Sequence, residues 1–270
     1  MQVFNDYNFL AKYVRPSGEL SLHQRLVIEV IEQLNVKTVL DVGGGTTSYV
    51  SFLGENHDTA IVDLSEKSLV NLKAKMKIVG MLPALPFKSS FDFVSALELI
   101  EHLEPTAYDE SLQEIARLSS QFVFITAPFL QDLFGAYVLC EKCGTEYQCE
   151  GHWRSFNLKE INNLQKYFGG LVDIYFIGKT GGNYFLFMNA VKLKRVIRRI
   201  LQKVFRKKYC YPPFTKCPEC GEEIFNDYNK YLDAKKSLEK NVKWWRWENT
   251  KKVSGAFGVL YDKNMPYIQP

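Results

Sequence analysis

Apolar positions change period repeatedly along the first half of the chain, and each change predicts an element. Leu22, Leu26, Val27, Val30, Ile31 and Leu34 recur at spacings of three and four. That is the stripe of an amphipathic helix, expected from about Ser21 to Leu34. In KTVLDVGGG, Thr38, Val39 and Leu40 form a short β-rich run that stops at glycines, as a buried parallel strand does at its carboxyl end. The pattern then repeats. TAIVDL predicts a second strand from Thr59, SEKSLVNLKAKM a helix with Ser65 as its N-cap, and FDFVSAL a later strand from Phe91. ELIEHL leads into a helix over about Tyr108 to Leu118. QFVFITAP supplies another buried strand, whose Pro128 cannot sit in a central ladder. LVDIYFIGK and NYFLFMNAVKL, joined by a turn at Gly181 and Gly182, predict an antiparallel edge pair.

Strands alternating with helices imply a parallel sheet. The expected fold class is therefore α/β, with a Rossmann-like, mostly parallel sheet, an antiparallel edge, and a small zinc-binding C-terminal appendage. The first unit is expected over residues 1–193, with a cysteine-rich insertion at 138–156. The appendage, residues 194–270, carries a basic helix, a second cysteine pair and an aromatic tail. With 46% hydrophobic and 24% charged residues, the chain can bury a full core, so disorder is excluded as its general state. Net charge is +4, yet the segment from Lys192 to Lys208 holds nine Lys and Arg and no acid, leaving 25 basic against 30 acidic residues elsewhere. The basic character is local. No apolar run approaches the ~20 residues of a spanning helix, and the N-terminal sequence lacks a secretory pattern, so the expected location is cytoplasmic. In that compartment six cysteines read as metal ligands or buried thiols, not disulfides.

The richest run is Asp41-Val42-Gly43-Gly44-Gly45-Thr46-Thr47. Glycines after a strand make a tight turn. They also let the backbone adopt positive φ and approach a nucleotide-like ligand closely. Asp63 ends the second strand about 20 residues further on, where a carboxylate can accept hydrogen bonds from both ribose hydroxyls. The dinucleotide pattern GxGxxG fails because position 48 is Ser. The helix start in that pattern serves a pyrophosphate, which S-adenosylmethionine (SAM) lacks, so SAM is favoured over NAD. The succession VLDVGGG, IVDLS and LPFKSSFDFVSALELIEHL, within roughly residues 36–130, resembles the motifs of class I SAM-dependent methyltransferases. The resemblance implies that Asp41, Gly43 and Gly45 line the methionine and ribose, that Asp63 binds the ribose, and that Gly44 and Leu64 belong to the cofactor site. It also implies that Met81 and Leu82 border the adenine, while Leu97 and Glu98 face the cofactor. GMLPALPF lacks the acid that many relatives carry there to pair with the adenine amine, so backbone groups would substitute.

A sulfonium methyl is already activated, so such an enzyme chiefly aligns a nucleophile and excludes water. A hydroxyl or ammonium acceptor must also lose a proton, and neutral His or a carboxylate is the usual recipient. His102, beside Glu98 and Glu101 in ELIEHL, follows the strand at the sheet's carboxyl edge and is the first catalytic candidate, although a lone His at such a turn also caps or packs. His152 is the second. Its GHWRSF stretch resembles a GHxxxF segment in some methyltransferases with cysteine insertions, where it would border the acceptor pocket. His23 and His57 have weaker claims.

Cys140-Glu141-Lys142-Cys143-Gly144 and Cys217-Pro218-Glu219-Cys220-Gly221 share the form CxxCG. Two such knuckles supply four thiolates for tetrahedral Zn²⁺, leaving no open position and hence a structural role. The 73 residues between them must be spanned by the fold. Cys140, Cys143, Cys149 and His152 form an alternative local set. Leu193, Val196, Ile197, Ile200, Leu201 and Val204 trace one helical face among basic residues, suited to domain packing or to peripheral membrane contact through 192–208. Trp244, Trp245 and Trp247 could stack on a sugar or pack in the core, and SGAFGVLYDK predicts a returning strand. The expected activity is methyl transfer to an oxygen or nitrogen of a small-molecule, sugar or lipid-linked glycan acceptor. RNA methylation is the alternative, disfavoured by the acidic remainder. A zinc-stabilised SAM-binding scaffold without turnover is another.

Overall fold

The computed structural model describes residues 20–45, 47–178, 182–183, 189, 193, 196–197, 214–225, 243–247, 252–253 and 255–266. Helix α1 (Leu22–Glu32) opens with a capping box, in which the Ser21 side chain accepts from the Gln24 N–H and the Gln24 side chain accepts from the Ser21 N–H. Strand β1 (Thr38–Val42) runs into the glycines, and a 3₁₀ turn follows at Tyr49–Phe52. Strand β2 is Asp58–Asp63. The predicted helix after it is one turn only, α2 (Glu66–Leu69), capped by Ser65, before the chain extends again into β3 (Met76–Val79). Next come β4 (Phe91–Leu97), α3 (Tyr108–Leu118) and β5 (Ser119–Pro128).

Hairpin β6 (Tyr137–Leu139) and β7 (Glu146–Gln148) follows, then α4 (Leu158–Asn163), α5 (Gln165–Phe168) and β8 (Gly170–Gly178). Short strand β9 (Gly182–Asn183), hairpin β10 (Phe214–Lys216) and β11 (Glu223–Phe225), then β12 (Lys243–Arg246), β13 (Lys252–Val253) and β14 (Ala256–Asp262) complete the order.

Eight strands form one sheet in the order β12-β8-β14-β5-β4-β1-β2-β3. From β3 to β5 the pairs are parallel. β14 is antiparallel to both β5 and β8, and β12 is antiparallel to β8. This confirms the α/β class. The antiparallel strands among the described residues include AFGVLYD from the chain's last part, inserted between β5 and β8, and β12 at the edge, whereas the expected NYFLFMNAVKL strand lies largely outside the described residues. Of that segment only Asn183, Asn189 and Leu193 are described, and the last two are helical. A boundary at residue 193 therefore does not divide the molecule, because residues 256–262 are central to the sheet. Their continuous burial from Phe257 to Tyr261 fits a strand covered on both faces. Pro128 ends β5 opposite Ala256, where a missing N–H costs little.

Side chains alternate between two cores. α1 covers one face with Leu26, Val27, Val30 and Ile31 against Val39, Ile61 and Phe93. α3, α4 and α5 cover the other with Leu112, Ile115, Ile161 and Phe168 against Leu40, Val62 and Val94. Trp247 meets Phe176 edge to face, with ring centroids 5.4 Å apart, and Trp244 packs on the α1 face, so these two act in packing. No helix among the described residues is long and apolar enough to cross a membrane. Most of the predicted basic helix lies outside the described residues.

Candidate functional site

The carboxyl ends of β1 and β4 open onto a cavity of about 270 Å³, lined by Ser21, His23, Gln24, Asp41, Gly43, Gly44, Gly45, Thr47, Leu97 and Glu98. Glycine is required in its floor. Gly43 has φ +74°, and a Cβ there would sit 2.9 Å from Leu99 Cδ1. At Gly44 a Cβ would meet Ile61 Cδ1 at 2.4 Å and Asp41 Oδ2 at 2.8 Å. The turn is thus packed from below and bare above, where a ligand can approach the backbone.

Asp41 is buried under the turn, accepting from the hydroxyls of Ser48 and Ser95, each at 2.6 Å. Burial pushes its carboxyl up from 3.8 to about 6. The Asp63 charge adds to the rise, and the two serine hydroxyls oppose it. Because folding favours the protonated form, this contribution to stability is full below pH ~4 and is lost as pH rises through ~6. Two units at ~1.4 kcal/mol each make about 3 kcal/mol. Asp41→Asn should remove that slope, so ligand-free wild type loses about 3 kcal/mol relative to the variant between pH 4 and 7 in urea unfolding. Parallel pH profiles for the two proteins would refute this.

Asp63 clamps the same turn. Its Oδ2 accepts from the Gly45 N–H at 2.9 Å and its Oδ1 from the Ser65 N–H at 2.8 Å, and burial raises its pKa. Glu98 sits opposite in the left-handed region at φ 51°, a conformation that costs a non-glycine residue about 1–3 kcal/mol. Its N–H is held by the carbonyl and hydroxyl oxygens of Thr126 at 3.0 and 3.1 Å. That geometry turns Glu98 toward the cavity, 3.5 Å from His23 Nε2.

Six of the expected cofactor residues, Asp41, Gly43, Gly44, Gly45, Leu97 and Glu98, come together in this cavity. Asp63, Leu64, Met81 and Leu82 lie outside its lining, and Leu64 and Met81 are exposed. Ser21, Gln24 and Thr47 were not anticipated. The signal for them was the S-x-x-Q capping box, whose Gln24 also donates to the Thr47 carbonyl. Among the described residues no Lys or Arg lines the cavity while two carboxylates do, which suits a cationic ligand and disfavours a pyrophosphate.

Next to Glu98 the chain assembles a second group. The backbone of GHWRSF docks on the β4 turn, the Trp153 N–H donating to the Glu101 carbonyl at 2.8 Å and Arg154 Nη1 to the Ile100 carbonyl at 2.7 Å. This brings His152 edge-on to His102, with ring centroids 4.4 Å apart. Burial lowers both imidazoles, His102 to about 3, where His152 adds to the effect, and His152 to about 4. Both rings are therefore neutral at pH 7 and weak as proton acceptors. Glu101 beneath them is fully buried, and burial together with the Glu98 charge raises its pKa well above the usual carboxylate range. Of the weaker candidates, His23 lines the cavity, whereas His57 precedes β2 at the opposite end of the sheet.

The cysteine knuckles also meet. β6–β7 and β10–β11 are matching hairpins, with the Gly144 N–H donating to the Cys140 carbonyl and the Gly221 N–H to the Cys217 carbonyl. Both glycines have positive φ, 76° and 72°. Cys140 Sγ lies 3.6 Å from Cys220 Sγ, and Cys143 Sγ 3.6 Å from Cys217 Sγ. That is too long for a disulfide and close to the ~3.8 Å between sulfurs around tetrahedral zinc. Cys149 stays outside the quartet and His152 turns to Gln131, so the local alternative set does not assemble.

Residues 39–121 match a protein family described as a methyltransferase domain. Among solved structures, a SAM-dependent methyltransferase from Archaeoglobus fulgidus aligns at 15% identity over 96% of this chain and 100% of that one, with a TM-score of 0.49. The YcgJ protein from Bacillus subtilis aligns at 14% identity over 89% and 97%, with a TM-score of 0.48. A magnesium protoporphyrin IX methyltransferase from Synechocystis aligns at 15% over 63% and 88%, with a TM-score of 0.45. No curated protein matches the chain.

Proposed function

We propose, from the premise that this chain is a SAM-dependent methyltransferase of the class I fold, that it methylates an oxygen or nitrogen of a small-molecule, sugar or lipid-linked glycan acceptor held beside Glu98, His102 and His152. The observation that carries this reading is the convergence of the two histidines next to Glu98, which itself faces the glycine-turn cavity. When bound, SAM supplies a methyl group activated on a sulfonium, whose sulfur keeps the electron pair as the acceptor bonds to carbon. The chain's own part is placement. The Gly43–Gly45 turn and Leu97 hold the methionine and ribose, the paired carboxylates of Asp41 and Glu98 offset the positive charge, and Asp63 takes the ribose hydroxyls. The exposed Leu64 and Met81, with Leu82, offer an apolar shelf for the adenine. Glu98 is on the cavity wall, and there its carboxylate would take the acceptor's proton.

Zinc on the four thiolates would hold the two hairpins together as a structural site. Leu193, Val196 and Ile197 are helical and exposed within the basic segment, which supports a peripheral contact of 192–208 with an anionic membrane surface, the site at which a lipid-linked acceptor would be met. The test is transfer of labelled methyl from SAM to a panel of sugars, glycolipids, small hydroxyl or amine acceptors and RNA, with Glu98→Gln alongside. Label on a sugar or glycolipid, lost in the variant, supports the reading. Label only on RNA would replace it.

A further inference from the structure

The described residues hold a second group of metal-binding donors away from the cysteines. Glu101, His102 and His152 each offer one donor atom, and these atoms all lie within 4.8 Å of one another. Glu101 has no exposed surface, and neither of its carboxylate oxygens has a hydrogen-bond partner among the described residues. A buried carboxylate left in that condition is costly unless a cation or a proton accompanies it. Arg154 is the cation whose charge it feels, but that guanidinium is engaged elsewhere, donating to the Ile100 carbonyl and lying 3.7 Å over the Tyr108 ring.

The imidazoles are held from behind. His152 Nδ1 is 2.5 Å from Gln131 Oε1, and the Gln131 amide nitrogen donates to Glu150 Oε2 at 2.6 Å. His102 Nδ1 is 3.4 Å from the Gly151 carbonyl oxygen, and its Nε2 is 3.9 Å from Glu101 Oε1. A histidine that ligates a metal characteristically gives its remote N–H to such an oxygen, which fixes the ring and aims the other nitrogen at the ion. Burial keeps both rings in the neutral form that ligation needs.

We propose that Glu101, His102 and His152 bind a divalent first-row transition cation through two imidazole nitrogens and one carboxylate oxygen. This donor set suits zinc, iron or cobalt over calcium, and three protein ligands leave coordination positions open, unlike the four-thiolate site. The role of those positions rests on the functional reading above: an acceptor oxygen placed there would be made more acidic by the cation. The histidines then act as ligands, and not as general bases.

The full chain, stripped with a chelator, is reloaded with Co²⁺ alone, and bound metal is counted by elemental analysis beside the absorption spectrum. Cobalt on thiolates gives strong near-ultraviolet bands, whereas cobalt on nitrogen and oxygen does not. The expected result is one equivalent without thiolate bands, lost in both Glu101→Gln and His152→Ala. The thiolate-bound equivalent and its bands should persist in both variants and so report that they fold. Cobalt carried wholly by the thiolate bands in the wild type, or non-thiolate cobalt retained in both variants, overturns the proposal. A SAM titration on the same samples separates the two ideas: SAM binding without the second cation defeats only this inference, and the cation without SAM defeats only the functional reading.

Discussion

Cys217→Ser should cost the chain the metal of its four-thiolate cluster and release the β10–β11 hairpin from β6–β7, while SAM binding survives. Among the described residues little else holds that unit. Its buried cluster there is Val138, Cys140, Tyr147, Cys149 and Cys217, separate from the two cores that sandwich the sheet. Lys142 and Glu222 pair across it at 2.9 Å, but on an exposed surface where such pairs contribute little. Structural zinc in small domains contributes an apparent ~10–16 kcal/mol, far more than this cluster can supply, so the hairpins should be ordered only with metal bound. The check is metal content together with hydrogen exchange. Zinc should fall by one equivalent, and amides of residues 137–148 and 214–225 should lose protection while those of β1, β4 and β5 keep theirs. Unchanged protection in metal-free protein would show that the thiolates are only buried neighbours.

Asp63→Ala should weaken SAM binding by ~100-fold or more with little loss of fold. Each hydrogen bond from a ribose hydroxyl to the carboxylate is worth about 1.5–3 kcal/mol, and two of them correspond to ~100-fold even at the lower value. The substitution also removes the acceptor that fixes the Gly45 N–H, so the glycine turn loses its clamp. Asp63→Asn, which keeps one acceptor, should fall between. Equilibrium dialysis with labelled SAM decides the matter, with thermal unfolding as the control. An affinity within about threefold of wild type would mean that the ribose lies elsewhere.

The fold was legible where local pattern and pairing order agree. The α1 stripe, the apolar runs of β1, β2, β4 and β5, and the Ser65 cap all form where periodicity and capping chemistry require. β14 was recognisable as a strand, but its place between β5 and β8 was not, because which strands pair is a long-range matter that AFGVLYD does not encode locally. The helix expected over 65–76 stops after one turn because the chain must extend again in time to pair β3 with β2. At the site, the glycines were readable because few other residues tolerate those positions. Ser21 and Gln24 reach the cavity only through the packing of α1 across the sheet, and the meeting of His102 with His152 depends on how GHWRSF docks. Such convergence leaves no mark in either segment alone.

The proposed seat of a cationic methyl donor is the Gly43–Gly45 turn, between Asp41 and Glu98. A calorimetric titration of SAM into the purified full chain reads it out. Saturable one-to-one binding, competed by S-adenosylhomocysteine and not by NAD, is the predicted result. Absence of SAM binding in a folded, metal-loaded protein would rule that seat out.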